Sequence, residues 1–223
     1  NGFYFLLSGS LELVTKGLEG KRIIIDSLLE GAIEQCNIFD EAEVATYQLQ
    51  AGPMPVLLLV LEKKDILLHL RKNPQIQFKV EEGRRLREAL DLLVKTKSLA
   101  NIPREGLTAL AQGMKLEEIS AGKTLIKQRA TEDSIFFVKN GRFVVTRDEA
   151  PTVHLDLPGP GSILGEIAVV TGEPRQATVT AQEDSIVYRL PGVIFRELIA
   201  EHKEFSENIK SLINQRIIYG DKV

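Results

Sequence analysis

The chain has 223 residues, of which 43% are hydrophobic and 26% charged, a composition typical of a globular protein. Its 28 Lys and Arg against 31 Asp and Glu give a net charge of -3, which disfavours nucleic acid or an anionic membrane as the main partner of this segment. The longest apolar run, Val56–Leu61, is far shorter than the roughly 20 residues that span a bilayer.

Cysteine and histidine usage excludes several kinds of site. Cys36 is the single cysteine, so no disulfide forms within the chain, which fits a reducing, cytoplasmic location. The histidines, His69, His154 and His202, are widely separated and have no metal-ligand spacing, so we expect no metal site and no bound cofactor. Because no nucleophile–base pair or paired acids stand out, we predict that this segment is not an enzyme.

The chain opens on a predicted hairpin that recurs 132 residues later. Phe3–Val14 contains an apolar strand, a Gly-containing turn and a second apolar strand, and Ile135–Val145 repeats this pattern. The same offset matches Gly9 with Gly141, Glu34 with Glu166, Ala45 with Ala177, Thr46 with Thr178 and Leu58 with Leu190. A register held over this length indicates a tandem duplication.

The repeat also predicts the domain organisation. Asn1 falls opposite Asp133, so the counterpart of roughly Leu107–Glu132 has no match in the first copy, and we expect the sequence to be part of a longer chain. We predict a partial first domain over 1–72, a helical connector over 73–105 and a second domain over 106–223.

Apolar periodicity separates the helical segments from the strands. Apolar residues at three-to-four spacing predict helices over Asp65–Arg71, Phe78–Lys95 and Arg104–Met114, and a further helical segment from Val193 onward. Alternation predicts strands at Thr124–Ile126, Ser134–Val138, Phe143–Thr146, Val153–Leu157 and Val179–Leu190. Many short strands of even spacing favour an α+β fold made of two β-rolls, jelly-roll-like antiparallel barrels flanked by helices, in tandem at an offset of 132 residues.

The segment 161–179, called the cassette below, carries the clearest chemical signal. A helix that begins after Gly165 presents free backbone amides to an anion. Arg175, introduced by Pro174, offers a charged fork that suits a phosphate, and the Glu166 carboxylate can accept hydrogen bonds from sugar hydroxyls. A site for an anion beside a site for hydroxyl groups indicates that the ligand is a sugar phosphate.

The cassette resembles the phosphate-binding segment of cyclic nucleotide-binding domains, as found in regulatory subunits of cyclic AMP-dependent protein kinase and in catabolite activator proteins. The matching residues are Leu164-Gly165-Glu166-Ile167-Ala168 and Pro174-Arg175-Gln176-Ala177-Thr178-Val179. The resemblance extends over about Leu107–Arg216. It implies that Glu166 holds the ribose 2′-hydroxyl, that Arg175 holds the cyclic phosphate, and that the ligand site comprises Leu164, Gly165, Glu166, Ile167, Ala168, Arg175, Gln176 and Ala177.

The resemblance also bears on the base. Gln176 stands where members that prefer cyclic GMP often carry Thr and members that prefer cyclic AMP often carry Ala, and the lack of a Thr hydroxyl favours cyclic AMP, with cyclic GMP as the second choice. Arg129 occupies a turn where the family usually has Gly. In this family the C-terminal helix covers the base, and Leu212, Ile213, Ile217 and Tyr219 are candidates for that role; core packing of the helix is the alternative interpretation of these residues.

The first copy lacks the same chemistry at the offset of 132. Glu34 keeps the ribose position, but Ile33 replaces Gly165 and Glu43 replaces Arg175, with Glu41 nearby. Because a carboxylate repels a phosphate, we predict that the first copy binds no cyclic nucleotide. The chain is thus expected to be a cyclic nucleotide-responsive regulatory module, with a regulated partner domain or a homo-oligomer reading its helices. A ligand-free interaction scaffold built on two rolls is the alternative.

Overall fold

The structure is a computed structural model that describes residues 2–36, 47–62, 65–66, 70, 72–99, 102–150 and 155–220, with the side chains of 2, 33–36 and 218–220 left aside. The chain forms two compact units, Asn1–Val94 and Lys95–Val223. The connector predicted over 73–105 is therefore divided between the units, most of its helix belonging to the first.

The first unit is built from antiparallel strands in two sheets. They are β1 (Gly2–Ser8), β2 (Leu11–Lys16), β3 (Arg22–Leu28), β4 (Ile33–Cys36), β5 (Gln48–Ala51) and β6 (Leu57–Glu62). One sheet has the order β4-β1-β6 and the other the order β3-β2-β5. The helix α1 (Pro74–Lys95) follows, and its buried residues include Ala89, Leu90 and Leu93.

The second unit repeats this design with one additional strand. Its strands are β7 (Lys115–Ile119), β8 (Thr124–Ile126), β9 (Ser134–Asn140), β10 (Phe143–Thr146), β11 (Ile163–Leu164), β12 (Thr178–Ala181) and β13 (Ser185–Pro191). They form an antiparallel sheet of order β11-β9-β13-β7 and a second of order β10-β12-β8. The segment Val179–Leu190 thus contains two strands, because the turn between Ala181 and Ser185 interrupts it.

Four helices belong to the second unit, one before the roll, one between β11 and β12, and two after the roll. They are α2 (Arg104–Gly113), α3 (Glu166–Thr171), α4 (Gly192–Glu201) and α5 (Lys203–Gly220). The predicted helical segment from Val193 is two helices, which meet at His202, where the backbone is extended. Phe195 of α4 and Phe205 of α5 pack edge to face with ring centroids 5.2 Å apart, which fixes the corner between them.

The interior of the second roll explains why these residues form strands. Ile135, Phe136, Phe137 and Val138 of β9 are all buried, so this strand has apolar contacts on both faces. Phe136, Val138, Phe143, Val179 and Val187 belong to one cluster that joins the two sheets. The roll is therefore held by burial of apolar surface between facing sheets, and the cassette is attached to this rigid frame.

The duplication and the two-roll α+β fold are confirmed. The bounds of β1 and β9 differ by 132 at both ends, and Leu11 and Phe143 begin β2 and β10 at the same offset. The hairpin glycines Gly9 and Gly141 have φ of 89° and 92°, and a Cβ would overlap Pro55 at the first and Ser185 at the second.

The offset does not hold for the later strands. Phe5 pairs with Ile33 while Phe137 pairs with Ile163, an offset of 130, so Glu34 corresponds to Leu164 and its match with Glu166 is wrong. Leu11 pairs with Ala51 while Phe143 pairs with Ala181, an offset of 130. Phe3 pairs with Leu61 while Ile135 pairs with Leu190, an offset of 129. Thr178 therefore corresponds to Gln48 and Leu190 to Leu61, so the matches with Thr46 and Leu58 are wrong, because the first copy is two residues longer before β4 and one residue longer again before β6. Ala45 and Thr46 themselves lie outside the described residues.

Candidate functional site

A cavity of about 440 Å³ lies within the second unit, between the roll and α5. The eight residues predicted from the cassette all line it, namely Leu164, Gly165, Glu166, Ile167, Ala168, Arg175, Gln176 and Ala177. The rest of its wall is made by Ile126, Val145, Arg147, Leu155, Asp156, Val179, Leu212, Gln215 and Arg216. The structure thus brings the cassette residues together around one space whose size suits a small ligand.

Gly165 makes the sharp turn from β11 into α3. Its φ of 82° lies in the left-handed region, and α3 begins at the next residue, as the sequence predicts. A Cβ at this position would overlap Nη1 of Arg175, whose guanidinium packs against the turn. Gly165 therefore permits both the turn and the close approach of the arginine.

Arg175 is held at the cavity wall by two backbone carbonyls. Its Nη1 donates to the Gly165 oxygen and its Nη2 to the Ser134 oxygen, both at 2.6 Å. Only 3% of the residue is exposed, and within the described part of the chain its Nε is buried without a hydrogen-bond partner. Arg175 is therefore a buried residue bonded to backbone carbonyls and not an exposed surface side chain.

The charge of Arg175 is balanced by carboxylates at a distance. Burial lowers the pKa of Arg175, and the negative charges of Glu132, Glu166 and Asp133 oppose that effect. A buried cation with one unsatisfied donor is an electrostatically favourable neighbour for an anion, because an anion supplies both the charge and the acceptor that the group lacks.

Arg129 fixes the main chain of Arg175 from a neighbouring turn. The Arg129 amide donates to the Arg175 oxygen at 2.7 Å, and the Arg175 amide donates to the Ala130 oxygen at 2.9 Å. Arg129 has a φ of 67°, so a non-glycine residue adopts the left-handed conformation for which the family usually employs Gly. Its side chain pairs with Glu149, which ties this turn to the one after β10.

Glu166 is the most buried charged group in the cavity wall that the structure describes, with 1% of the residue exposed. Its Oε1 accepts a hydrogen bond of 2.6 Å from Nη1 of Arg216 on α5. The same nitrogen donates to the Ile163 oxygen at 2.7 Å, and Nη2 of Arg216 lies 3.9 Å from Asp156. The carboxylate predicted to hold ribose is therefore also the point at which the last described helix contacts the cassette.

Two cavity residues of α5, Gln215 and Arg216, were not predicted from the sequence. Leu212, Gln215 and Arg216 of α5 line the cavity, whereas Ile213 is 5% exposed and belongs to the core, and Ile217 is not in the cavity wall. The side chain of Tyr219 lies outside the described residues. The spacing of four between Leu212 and Arg216 places them on one helix face and could have identified the arginine.

A second arginine links the cassette helix to α4. Both terminal nitrogens of Arg196 donate to the Asp133 carboxylate, at 2.7 and 2.9 Å, and Nη1 lies 3.4 Å from the Val169 oxygen of α3. These hydrogen bonds lower the pKa of Asp133 and keep the carboxylate ionised. The cassette is thus connected to α4 as well as to α5.

Replacing Gly165 tests the turn that supports Arg175. Gly165→Ala adds left-handed strain of about 1–2 kcal/mol and also displaces the guanidinium, so we expect ligand binding at this cavity to fall at least tenfold. Gly172→Ala is the matched control, because Gly172 has a φ of 75° and a Cβ there meets nothing within 4 Å. Equal loss of binding in the two variants, measured by fluorescence titration, would contradict the role assigned to Gly165.

In the first unit, the corresponding site lies largely outside the described residues. Glu41 and Glu43 fall in the undescribed segment. The backbone of Glu34 pairs with Tyr4 as Leu164 pairs with Phe136, so Glu34 corresponds to Leu164 and the prediction that it keeps the ribose position is wrong. At the offset of 130 found at β5, Arg175 falls opposite Ala45 and not Glu43, and the sequence contains no Lys or Arg anywhere from Ile23 to Glu62. No register within this segment therefore places a cation opposite Arg175.

The described residues contain neither a candidate metal site nor a membrane-spanning helix. Among them there is no group of three or more His, Cys, Asp or Glu side chains placed to hold a metal ion. The described helices also include none that is long and apolar enough to cross a bilayer.

Comparisons with known proteins match the part of the chain that contains the cassette. The family model described as cyclic nucleotide-binding domain matches residues 116–202. A cyclic nucleotide-gated potassium channel of Rhizobium etli is 29% identical over 110 residues, which are 49% of this chain and 30% of the channel. A cAMP-dependent protein kinase regulatory subunit of Yarrowia lipolytica is 28% identical over 118 residues, which are 51% of this chain and 31% of that protein.

Solved structures resemble both units together. The regulatory subunit of a cAMP-independent protein kinase A from Trypanosoma brucei superposes with a TM-score of 0.57 at 15% identity, covering 100% of this chain and 75% of that one. The regulatory domain of Toxoplasma gondii PKA, crystallised with cAMP, gives 0.54 at 16% identity, covering 97% and 77%. These likenesses support the fold. The chain spans about a third of the length of the first curated relatives.

Proposed function

We propose that the second unit, which the cyclic nucleotide-binding domain model matches over residues 116–202, binds cyclic AMP in the cavity between the roll and α5. The observation that carries this proposal is the pair of buried, oppositely charged residues in one cavity wall. Arg175 is 3% exposed and Glu166 is 1% exposed, and both line the same space.

The cyclic phosphate binds beside Arg175 in this proposal. Nε of Arg175 has no acceptor among the described residues, and its two terminal nitrogens are fixed by carbonyls at 2.6 Å. The guanidinium is therefore held in place before the ligand arrives, so little side-chain entropy is lost when the phosphate binds. The backbone of the Gly165 turn supplies the remaining donors.

The ribose 2′-hydroxyl binds the Glu166 carboxylate. Arg216 occupies Oε1, which leaves Oε2 to accept the hydroxyl, and the charge-assisted bond is strong because the site is buried. The nearby base contacts the apolar part of the wall, which includes Val145, Leu155 and Leu212. Gln176 offers no hydroxyl of the kind that favours guanine in relatives, which supports cyclic AMP over cyclic GMP.

The C-terminal helix α5 carries the signal. Arg216 is bonded to both Glu166 and Ile163, so any shift of the cassette on ligand binding changes the contacts that hold α5. A ligand that binds more tightly when α5 is in one position than in another shifts the population of molecules toward the first position. We propose that a regulated partner, in the same or another chain, recognises the position of α5.

The first unit does not bind cyclic nucleotide in this proposal. The support is the lack of any Lys or Arg between residues 23 and 62, the whole span in which the counterpart of Arg175 falls. The module has no catalytic role of its own, and a lone cysteine suits a cytosolic setting.

The decisive experiment is calorimetric titration of the chain with cyclic AMP and with cyclic GMP. We expect one equivalent of cyclic AMP to bind and cyclic GMP to bind at least tenfold more weakly. Two equivalents would contradict the inactive first unit, and tighter binding of cyclic GMP would overturn the base preference.

One observation favours the interaction-scaffold alternative. Glu166 is already paired with Arg216, and both terminal nitrogens of Arg175 already have acceptors, so most of the site is satisfied without a ligand. Absence of heat and of any thermal shift with both nucleotides would favour this scaffold function over a sensor.

A further inference from the structure

The helix α1 packs two charged residues against the first roll. Arg87 and Asp91 are 8% and 5% exposed, although they lie on a helix whose other buried residues are apolar or small. Asp91 accepts a hydrogen bond of 2.5 Å from the Thr15 hydroxyl, and Arg87 lies 3.7 Å from Asp26. Buried charges are costly unless they are paired, so these contacts fix where α1 sits.

The aspartate of the first roll has a counterpart in the second. Asp26 pairs across the sheet with Leu13, and Asp156 forms a bridge with Val145. Leu13 and Val145 are themselves equivalent at the offset of 132, which holds for β2 and β10. Asp26 and Asp156 therefore occupy the same place in the two rolls.

The arginine that faces this aspartate is duplicated as well. Arg87 stands 25 residues after β6 ends at Glu62, and Arg216 stands 25 residues after β13 ends at Pro191. The distance from Arg to Asp is 3.7 Å in the first unit and 3.9 Å in the second. Each unit thus has one arginine of the following helix facing one aspartate of the roll.

The wall next to this ion pair differs between the units. In the second unit, Val145 and Arg147 are partly exposed and line the ligand cavity. Their equivalents in the first unit are Leu13 and Thr15, which are 0% and 4% exposed. Thr15 bonds to Asp91, so a residue of α1 contacts the first roll at the position where the second roll opens onto its cavity.

We infer that α1 is a built-in cap of the first roll, held closed by the Thr15–Asp91 hydrogen bond and the Asp26–Arg87 ion pair. This inference rests on the proposed function in that it explains how the first unit holds its helix without a nucleotide. The position of α1 is set by the chain's own side chains, whereas the position of α5 responds to ligand. The helix of the first unit thus keeps a fixed position, and the second unit is the nucleotide sensor.

Hydrogen exchange of α1 in ligand-free protein tests the cap directly. Thr15→Val leaves the buried Asp91 carboxylate without its hydroxyl donor, so we expect amides in residues 84–94 to exchange at least tenfold faster. Thr15→Val combined with Asp91→Leu removes both polar partners, and exchange should return to within about threefold of the wild type because the contact becomes apolar. Thr108→Val is the control, since that hydroxyl bonds to a carbonyl of its own helix.

The outcomes separate this inference from the proposed function. Unchanged exchange in α1 of the Thr15→Val chain would overturn the cap even if the second unit binds cyclic AMP. Conversely, faster exchange in that variant supports the cap even if no nucleotide binds. A last arm adds cyclic AMP to Arg175→Ala protein, and slower exchange in α1 there would show that the first unit is capped by ligand, against the inference.

Discussion

Affinity for cyclic AMP falls at least 100-fold in the Arg175→Ala variant, measured by calorimetric titration of the full chain. The guanidinium of Arg175 supplies the positive charge opposite the phosphate. Its Nε is buried and lacks an acceptor among the described residues, so it can also donate a hydrogen bond. Loss of a charge-assisted hydrogen bond together with its buried ion corresponds to about 3 kcal/mol, or roughly a hundredfold in affinity. Removal also frees the carbonyls of Gly165 and Ser134, which loosens the turn.

Two further variants separate charge from geometry. Arg175→Lys retains the positive charge but loses the planar fork, so its affinity should fall between those of the wild type and Arg175→Ala. Arg142→Ala removes an arginine that is exposed on the same unit and should bind as the wild type does. Affinity of Arg175→Ala within threefold of the wild type would show that the phosphate binds elsewhere.

Arg216→Met lowers the free energy of unfolding of the second unit by about 3 kcal/mol. Glu166 is 1% exposed, and removing Arg216 leaves its carboxylate buried without the 2.6 Å partner, which typically costs 3–5 kcal/mol. The Ile163 carbonyl loses its donor in the same variant. Hydrogen exchange of β9 and β13 under increasing urea measures this free energy for the second unit alone.

The double variant Glu166→Gln with Arg216→Met provides the matched control. Neutralising the carboxylate removes the unpaired buried charge, so at least half of the lost stability should return. If Arg216→Met alone is as stable as the wild type, then the contact between α5 and the cassette is too weak to transmit ligand binding.

The fold was largely predictable because strand alternation and a duplicated hairpin are local signals. The pattern around Gly9 and Gly141 gave the right register for β1 with β9 and for β2 with β10. The later matches were wrong because connections between strands tolerate deletions, and a fixed offset cannot follow them. The strand pairings show the true correspondence, because Leu61 pairs with Phe3 and Leu190 pairs with the equivalent Ile135.

The cassette residues were predictable for the same local reason, since Gly165, Glu166 and Arg175 lie within a dozen residues of each other. Arg216 lies 50 residues from Glu166, and only the packing of α5 brings the two together. The contact with the carbonyl of Ser134, which lies 41 residues from Arg175, was likewise not predictable from a local motif. Long-range partners of a buried charge need the three-dimensional structure.

The most direct test of the account is a hydrogen-exchange footprint of the chain with and without saturating cyclic AMP. We expect slower exchange in the cassette, residues 161–179, and in α5, with no change in β1–β6 or α1. Protection in the first unit, or no protection anywhere in the chain, would contradict the central claim that the second unit is the nucleotide sensor.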